Sequence, residues 1–306
     1  MAGKQLTAHR AKSDYPFLLP AVIVVAVMTQ VPFLMTLIFS FIRWNLSRPD
    51  QPRIFFGIRN YSYFLKIRDF KDFAGWPEFY GILLQTIIIT FMTLFCCSLF
   101  GFLLAILFDN SIPGINAART LILGPFFVMS TASGVIWKTT ILNTTFGWYG
   151  VLSRALGMTP VDFISYYPKV TVITLFTWQW LPFFFLVILA GLQGIEKDLI
   201  DCSRIDGAGW WQTTFRIKLP LIMNHLQVAI MLGLIFVIKE FGLILTTTAG
   251  GPGTRSRTLP YSVYMEIFSA NNVGRAGALA VMTVLLTLVL VNIMYRSIRR
   301  RSAKYE

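Results

Sequence analysis

The chain has 306 residues, of which 55% are hydrophobic and only 13% are charged, and its formal net charge is +13. A soluble chain would carry about 25% charged residues, so this composition excludes an ordinary soluble domain. The positive charge does not indicate nucleic-acid binding, because no basic stripe interleaved with aromatic residues runs along the sequence. Membrane orientation and attraction to anionic head groups explain the charge more simply.

Six apolar runs are each long enough to cross about 30 Å of hydrocarbon, which takes roughly 20 helical residues. Each should be helical, because lipid offers no partner for an unpaired backbone group. In chain order the runs are 15–42, 79–108, 121–137, 170–192, 219–248 and 276–295. The sequence therefore predicts an all-α membrane protein with six transmembrane helices.

The even number of spans puts both termini on the same side of the membrane. Basic residues in short segments beside span ends mark the cytoplasmic side. Such residues flank the first and last spans at Lys4, Arg10, Lys12, Arg296, Arg299, Arg300, Arg301 and Lys304. We therefore expect both termini to lie in the cytoplasm.

Few side chains are suited to metal binding or nucleotide hydrolysis. No metal-ligand spacing links the adjacent Cys96 and Cys97 to His9 or His225. The glycine-rich segment 250–255 lacks the lysine of a phosphate-binding loop and is predicted to form a turn. We predict no catalytic residue, metal site or cofactor. If the protein uses ATP, the nucleotide and its Mg²⁺ bind to a partner subunit.

The polar segment between the fourth and fifth spans has a helical pattern. Asp201, Arg204 and Ala208 are spaced at i, i+3 and i+7, close to one face of a helix. Gly207 is expected to end this helix in the left-handed conformation, and Pro220 fits the first turn of the fifth span. An ordinary amphipathic connector that lies at the lipid interface would show the same periodicity.

The residue types in this segment are more specific than its periodicity. The fourth span ends in Gly191-Leu192-Gln193-Gly194-Ile195, and the loop then reads Asp201-Cys202-Ser203-Arg204-Ile205-Asp206-Gly207-Ala208 before Leu219-Pro220. This composite pattern resembles the EAA loop of permease subunits from binding-protein-dependent ABC importers, in its carbohydrate-importing form. Asp201 replaces the usual Glu, and Cys202 and Ser203 replace two alanines. Weaker matches at 178–185 and 248–264 extend the resemblance over about residues 79–297.

The resemblance implies the type I ABC importer permease fold, with a cytoplasmic coupling helix, in the plasma (inner) membrane of a bacterium. It implies contact with the ATPase through Asp201, Arg204, Ile205, Asp206, Gly207 and Ala208. The implied partners are a second homologous permease subunit, an ATPase dimer and an extracytoplasmic solute-binding protein. The chain would divide into a cytoplasmic segment 1–14, a first transmembrane helix with a periplasmic loop 15–78, a permease core 79–297 with the coupling loop 195–218, and a basic cytoplasmic tail 298–306.

Three adjacent side chains in the fourth span are candidates for contact with a solute. Trp178 and Trp180 offer apolar faces to sugar C–H groups, and Gln179 between them offers an amide to hydroxyls. The alternative is that the tryptophans form an interfacial belt or pack against a partner helix.

Lys239 and Glu240 are charged residues within the predicted fifth span, where ionisable side chains usually face a cavity or a partner. They would line the translocation pathway or contact the second permease subunit. Alternatively, the span ends earlier and both residues lie near the membrane surface.

The predicted function is the transmembrane subunit of an ATP-driven importer that carries a carbohydrate by alternating access. The overall resemblance is to permeases for sugar alcohols such as sorbitol or mannitol, with disaccharides and glycerol-3-phosphate as rivals. Lys239 is the sole cation within a predicted span, which favours a neutral solute. An ion-coupled carrier is the alternative, but it would need internal repeats or several embedded carboxylates. An enzyme is not expected, because no nucleophile and base lie together at membrane depth.

Overall fold

The computed structural model describes residues 2–65, 78–109 and 113–302. Within them the helices, in chain order, are α1 Ala2–Ser40, α2 Arg59–Leu65, α3 Glu78–Phe108, α4 Ile115–Phe127, α5 Ser130–Val135, α6 Trp148–Ala155, α7 Phe163–Tyr166, α8 Pro168–Gln193, α9 Lys197–Ile205, α10 Trp210–Gln212, α11 Leu219–Leu221, α12 Met223–Ile238, α13 Gly242–Thr246, α14 Leu259–Phe268 and α15 Val273–Ser302. Two π-helical segments, Ile136–Ile141 and Thr213–Lys218, continue α5 and α10. Residues 66–77 of the predicted periplasmic loop and 303–306 of the predicted tail lie outside the described residues.

Four of the six predicted spans are single helices that are long and apolar enough to cross a membrane. They are Leu18–Ser40, Phe79–Phe108, Pro168–Gln193 and Val273–Arg296. The other two predicted spans correspond to pairs of helices that meet at a sharp bend. The loop after α1 also contains an antiparallel pair of two-residue strands, β1 Ile42–Arg43 and β2 Ile54–Phe55, which was not predicted. The predicted all-α membrane architecture is otherwise confirmed.

The third predicted span, 121–137, is not one straight helix. α4 meets α5 and its π-helical continuation at 94°, and the break lies at Val128 and Met129, whose ψ angles are 132° and 135°. Pro125 weakens α4 just before the break because it lacks a backbone donor. The carbonyl oxygen of Val128 instead accepts a hydrogen bond of 3.0 Å from Gln179 on α8. The prediction of a continuous helix was wrong because this partner is distant in sequence.

The fifth predicted span, 219–248, is interrupted twice. The helix that runs from α10 through α11 meets α12 at 62°, and α12 ends at Ile238. Glu240 stabilises the second interruption, because its Oε1 accepts a 2.9 Å hydrogen bond from the N–H of Gly242, where α13 begins. The continuous span was therefore a wrong prediction. Pro220 is the second residue of α11, which continues the π-helical segment Thr213–Lys218 rather than starting a new helix.

Contacts within the chain define two compact units. One comprises Met1–Lys66 with Val263–Met282, and the other Ile67–Ser262 with Thr283–Glu306. In the first unit the end of α1 packs directly on the start of α15. A Cβ added at Gly277 would lie 3.2 Å from the carbonyl oxygen of Thr36, so the two backbones touch. The sequence-based division at residues 14, 78 and 297 stays a prediction.

The core of the second unit is built on α3, α8 and α12. Phe184 of α8 is fully buried, and glycines on both neighbouring helices make room for it. A Cβ added at Gly101 of α3 would lie 3.0 Å from Phe184 Cβ, and one added at Gly233 of α12 would lie 2.6 Å from Phe184 Cζ. Small residues let membrane helices approach closely. This packing holds α8, which carries Trp178, Gln179 and Trp180, between two neighbours.

Candidate functional site

α9 is the predicted coupling helix, and it ends with the geometry that the sequence indicated. Gly207 has a φ of 81°. The N–H groups of Gly207 and Ala208 donate to the carbonyl oxygens of Arg204 and Ser203 at 3.1 and 3.0 Å, which is the Schellman arrangement of a helix C-terminus. Asp206 is the C-cap residue just before this turn, and Ala208 is half-buried just after it. The helix therefore stops sharply at Gly207.

The outer face of this segment is apolar and exposed. Ile205 is 85% exposed and Trp211 is 68% exposed, and Leu199 and Trp210 are exposed beside them. Ser203, one helical turn after Leu199 in α9, is buried and donates to the carbonyl oxygen of Ile200 in the same helix. We call Leu199, Ile205, Trp210 and Trp211 the coupling surface.

Asp201 and Arg204 lie on one face of α9, as their spacing predicted. Arg204 Nη1 donates to Asp201 Oδ1 at 3.4 Å. The side chain of Asp201 is 65% exposed and that of Arg204 is 70% exposed. An ion pair this exposed contributes about 0–1 kcal/mol to stability. Both charges therefore stay accessible to another protein.

Two contacts join the segment after α9 to α3, and neither was predicted. Lys218 Nζ donates to Asp109 Oδ2 at 2.7 Å, and these side chains are only 21% and 17% exposed. Phe215 packs edge-on against Phe102 of α3 with ring centroids 6.2 Å apart, and Trp211 stacks on Phe215. The residues of the ion pair are 109 positions apart, so no local pattern pairs them. Together the contacts link the coupling surface to the core.

We expect Lys218→Met to destabilise the permease, because Asp109 would be left as a largely buried carboxylate without its partner. Removing one partner of a largely buried ion pair costs about 3 kcal/mol, which should lower the midpoint of thermal unfolding of the purified complex. Asp109→Asn with Lys218→Met should recover most of that loss. Losses that simply add in the double variant would show that the two side chains do not act as a pair.

The side chains proposed for the pathway gather at the break between α4 and α5. Gln179 is 5% exposed, and its Nε2 donates to the carbonyl oxygen of Val128 at 3.0 Å and to Ser130 Oγ at 3.2 Å. Trp178 packs edge-on against Trp137, with ring centroids 5.5 Å apart. The structure therefore gives Gln179 a positioning role at the break that the sequence did not reveal.

Trp180 extends the same cluster toward α12. Its ring stacks on Phe236 with centroids 5.3 Å apart and planes 15° apart. Lys239 Nζ lies 4.7 Å from the centroid of the Phe236 ring, a distance at which a cation is attracted to an aromatic face. Lys239 is the C-cap residue of α12, where the helix dipole also favours a positive charge.

Glu240 lies in the break between α12 and α13, outside any continuous helix. Its partner Gly242 faces α5, because a Cβ there would lie 3.0 Å from Thr131 Cγ2 and 3.3 Å from Glu240 Oε1. α5 and α13 also meet at Gly134, where a Cβ would lie 3.1 Å from the carbonyl oxygen of Leu243. The break between α4 and α5 and the break between α12 and α13 are therefore neighbours. All five predicted pathway residues lie around these two breaks.

Several buried polar atoms around the breaks have no hydrogen-bond partner within the described part of the chain. They are Ser133 Oγ, Trp137 Nε1, Gln179 Oε1 and Trp180 Nε1. A buried polar group without a partner costs free energy, so these atoms favour binding of a group that can satisfy them. Among the described residues no group of three or more His, Cys, Asp or Glu is placed to hold a metal ion.

Comparisons with known proteins identify the family. Residues 73–304 match the family described as "Binding-protein-dependent transport system inner membrane component". The trehalose/maltose transport system permease protein MalF of Thermococcus litoralis is 28% identical over 93% of this chain and 92% of its own length. The sn-glycerol-3-phosphate transport system permease protein UgpA of Brucella abortus is 27% identical over 80% of this chain and 84% of its own length.

A solved structure shows the same fold. A bacterial ABC transporter involved in the import of the acidic polysaccharide alginate matches with a TM-score of 0.78 and 20% identity, over 96% of this chain and 98% of that one. This likeness confirms the predicted type I ABC importer permease fold. Because the family match covers most of the sequence, the chain belongs to the family of binding-protein-dependent transport system inner membrane components, the permease subunits of ABC importers.

Proposed function

We propose that this chain lines the translocation pathway of an ATP-driven importer for a neutral carbohydrate, a sugar alcohol or small sugar such as sorbitol or mannitol. A second homologous permease completes the pathway, and an extracytoplasmic binding protein delivers the solute. An ATPase dimer supplies the energy, and both termini lie in the cytoplasm. The observation that carries the proposal is the cluster of aromatic and polar side chains around the two breaks.

The chemistry of this cluster suits a solute with many hydroxyls. Trp178 and Trp180 supply ring faces for C–H groups. The indole Nε1 atoms of Trp137 and Trp180 are donors, and Gln179 Oε1 is an acceptor, and none has a partner within the described residues. These atoms are shielded in the present conformation, so a solute reaches them only when the aromatic side chains separate. Alternating access provides such a separation.

The charges at the cluster favour a neutral solute. Lys239 and Glu240 carry opposite charges, so together they give no net field that would select an anion. The relatives' names cover neutral, phosphorylated and acidic cargoes, namely trehalose or maltose, glycerol-3-phosphate and alginate. The preference therefore rests on the residues of this chain.

The coupling surface is proposed as the site where the ATPase binds. Its exposed apolar side chains suit burial by a partner, and Asp201, Arg204, Asp206, Gly207 and Ala208 surround Ile205 at the end of α9. Movement there would reach α3 through the Lys218–Asp109 pair and the Phe215–Phe102 contact. α3 packs on α8, which carries the candidate pathway residues.

The test is solute-stimulated ATP hydrolysis by the reconstituted complex. The chain is purified with its natural partners, and hydrolysis is measured with the binding protein loaded with sorbitol, mannitol, maltose or glycerol-3-phosphate. We expect stimulation by a neutral carbohydrate, accompanied by uptake into proteoliposomes. Stimulation by glycerol-3-phosphate alone would overturn the neutral preference. Uptake without the ATPase would favour an ion-coupled carrier, which the family match does not favour.

A further inference from the structure

A cavity of about 440 Å³ lies in the unit formed by Met1–Lys66 and Val263–Met282, and the proposed transport mechanism makes no use of it. Its walls come from the loop after α1 and from the segment where α15 begins. They include Arg43, Trp44, Arg48, Asn60, Asn272 and Arg275. Ligand pockets commonly enclose about 300–1,000 Å³, so the cavity is large enough for a polar head group.

The lining is cationic. Three of the lining side chains are arginines and none is acidic. Arg43, Arg48 and Arg275 form no ion pair with any carboxylate in the part of the chain that the structure describes. Guanidinium groups bind phosphate and carboxylate oxygens through two parallel hydrogen bonds. Three such groups around one cavity therefore select an anion.

Two of the three arginine side chains are held in place by aromatic rings. Arg275 Cζ lies 3.6 Å from the centroid of the Tyr63 ring, and Arg43 Cζ lies 5.9 Å from that of Phe56. A guanidinium that stacks on a ring keeps its N–H groups, which lie in its own plane, available to a ligand at its edge. The site is thus partly organised before any anion binds.

The backbone around the cavity is also tied together. Asn60 is 4% exposed, and its Nδ2 donates to the carbonyl oxygens of Ser40 and Ile42 at 2.8 and 3.0 Å. The N–H of Val273 donates to the carbonyl oxygen of Trp44 at 3.0 Å. This bond places the first turn of α15, and with it the positive end of a 30-residue helix, at the cavity.

The position of the cavity along the chain indicates its depth in the membrane. One candidate span ends at Ser40 and another begins at Val273, and the lining residues Arg43, Trp44 and Asn272 lie within four positions of these two ends. The end of a span that crosses about 30 Å of hydrocarbon lies at the level of the lipid head groups. In the same loop Phe55 and Ile58 are 80% and 72% exposed, which suits contact with acyl chains.

We propose that this cavity binds the phosphate group of an anionic phospholipid, such as phosphatidylglycerol. The arginines bind the phosphate oxygens, and the asparagine amides lie beside the glycerol hydroxyls. The exposed Phe55 and Ile58 contact the lipid chains, a contact that a soluble phosphate or an acidic peptide could not make. The bound lipid would join the end of α1 to the start of α15. This site is independent of which solute the importer carries.

The test compares two double variants in the complete complex. Arg43→Gln with Arg48→Gln removes two charges from the cavity lining, and Lys138→Gln with Lys169→Gln removes two from the next predicted extracytoplasmic loop, away from the lining. Each protein is reconstituted with equal amounts of phosphatidylglycerol and phosphatidylethanolamine, and the lipid retained in detergent is counted by native mass spectrometry. A hydrogen bond to a charged group strengthens binding by about tenfold or more, so the first pair should lower phosphatidylglycerol retention by more than about tenfold.

We expect the second pair to change retention by no more than about twofold, because it leaves the hydrogen bonds to the phosphate intact, and Arg48→Gln alone to give about a tenfold loss. Equal losses in both pairs would show a general attraction of basic loops to the membrane and would overturn the site. Efficient displacement of the lipid by soluble glycerol phosphate would identify a soluble phosphate ester as the ligand instead. Absence of retained phosphatidylglycerol on the unaltered complex would also overturn the proposal. ATP hydrolysis measured on the same samples tests transport separately.

Discussion

Replacing Ile205 by glutamate should weaken binding of the ATPase to the permease while leaving the permease folded. Ile205 is 85% exposed at the end of α9, so its side chain contributes little to folding. A partner that buries it gains about 1.5–3 kcal/mol, and a buried carboxylate there would have to be desolvated as well. We expect at least about a tenfold loss of ATPase co-purification and of solute-stimulated hydrolysis.

Two controls separate docking from stability. Ile205→Leu keeps an apolar side chain of the same size and should retain most of the coupling. The midpoint of thermal unfolding of Ile205→Glu should match that of the unaltered permease, because the residue is exposed. Normal co-purification and uptake with Ile205→Glu would show that the ATPase does not bury this side chain.

The end of α9 was predictable because its causes are local. Gly207 takes the left-handed conformation that its position after a polar helix predicts, and Asp201 and Arg204 lie on one face of α9 as their spacing predicts. The four uninterrupted spans followed from apolar length alone. In each case the residues that determine the structure lie within a few positions of one another.

The interruptions of the third and fifth spans were not predictable because their causes are distant in sequence. At the break in the third span, the carbonyl oxygen of Val128 is satisfied by a hydrogen bond from Gln179, which lies 51 residues downstream. The Lys218–Asp109 pair likewise joins residues 109 positions apart. Hydropathy measures whether a segment can enter a membrane, and it carries no information on which side chain can satisfy an interrupted backbone.

Gln179→Leu should both destabilise the permease and impair transport. Leucine has a similar volume, but it leaves the carbonyl oxygen of Val128 and Ser130 Oγ without the donor that Gln179 supplies. The loss of these buried hydrogen bonds should lower the free energy of unfolding by about 1–3 kcal/mol. The uptake rate should fall by more than the loss of folded protein explains, because the angle between α4 and α5 would no longer be held. Thermal unfolding and uptake are measured on the same reconstituted samples.

Thr177→Val is the matched control, since it removes a buried side-chain hydrogen bond from the same helix without touching the break. Thr177 donates only to the carbonyl oxygen of Ile173 in its own α8, so its loss should cost less than about 1 kcal/mol. Equal effects of the two variants would show that the amide does not hold the break. If uptake recovers at high solute concentration in Gln179→Leu, the amide contacts the solute. If the maximal rate stays low, Gln179 acts by holding the angle between α4 and α5.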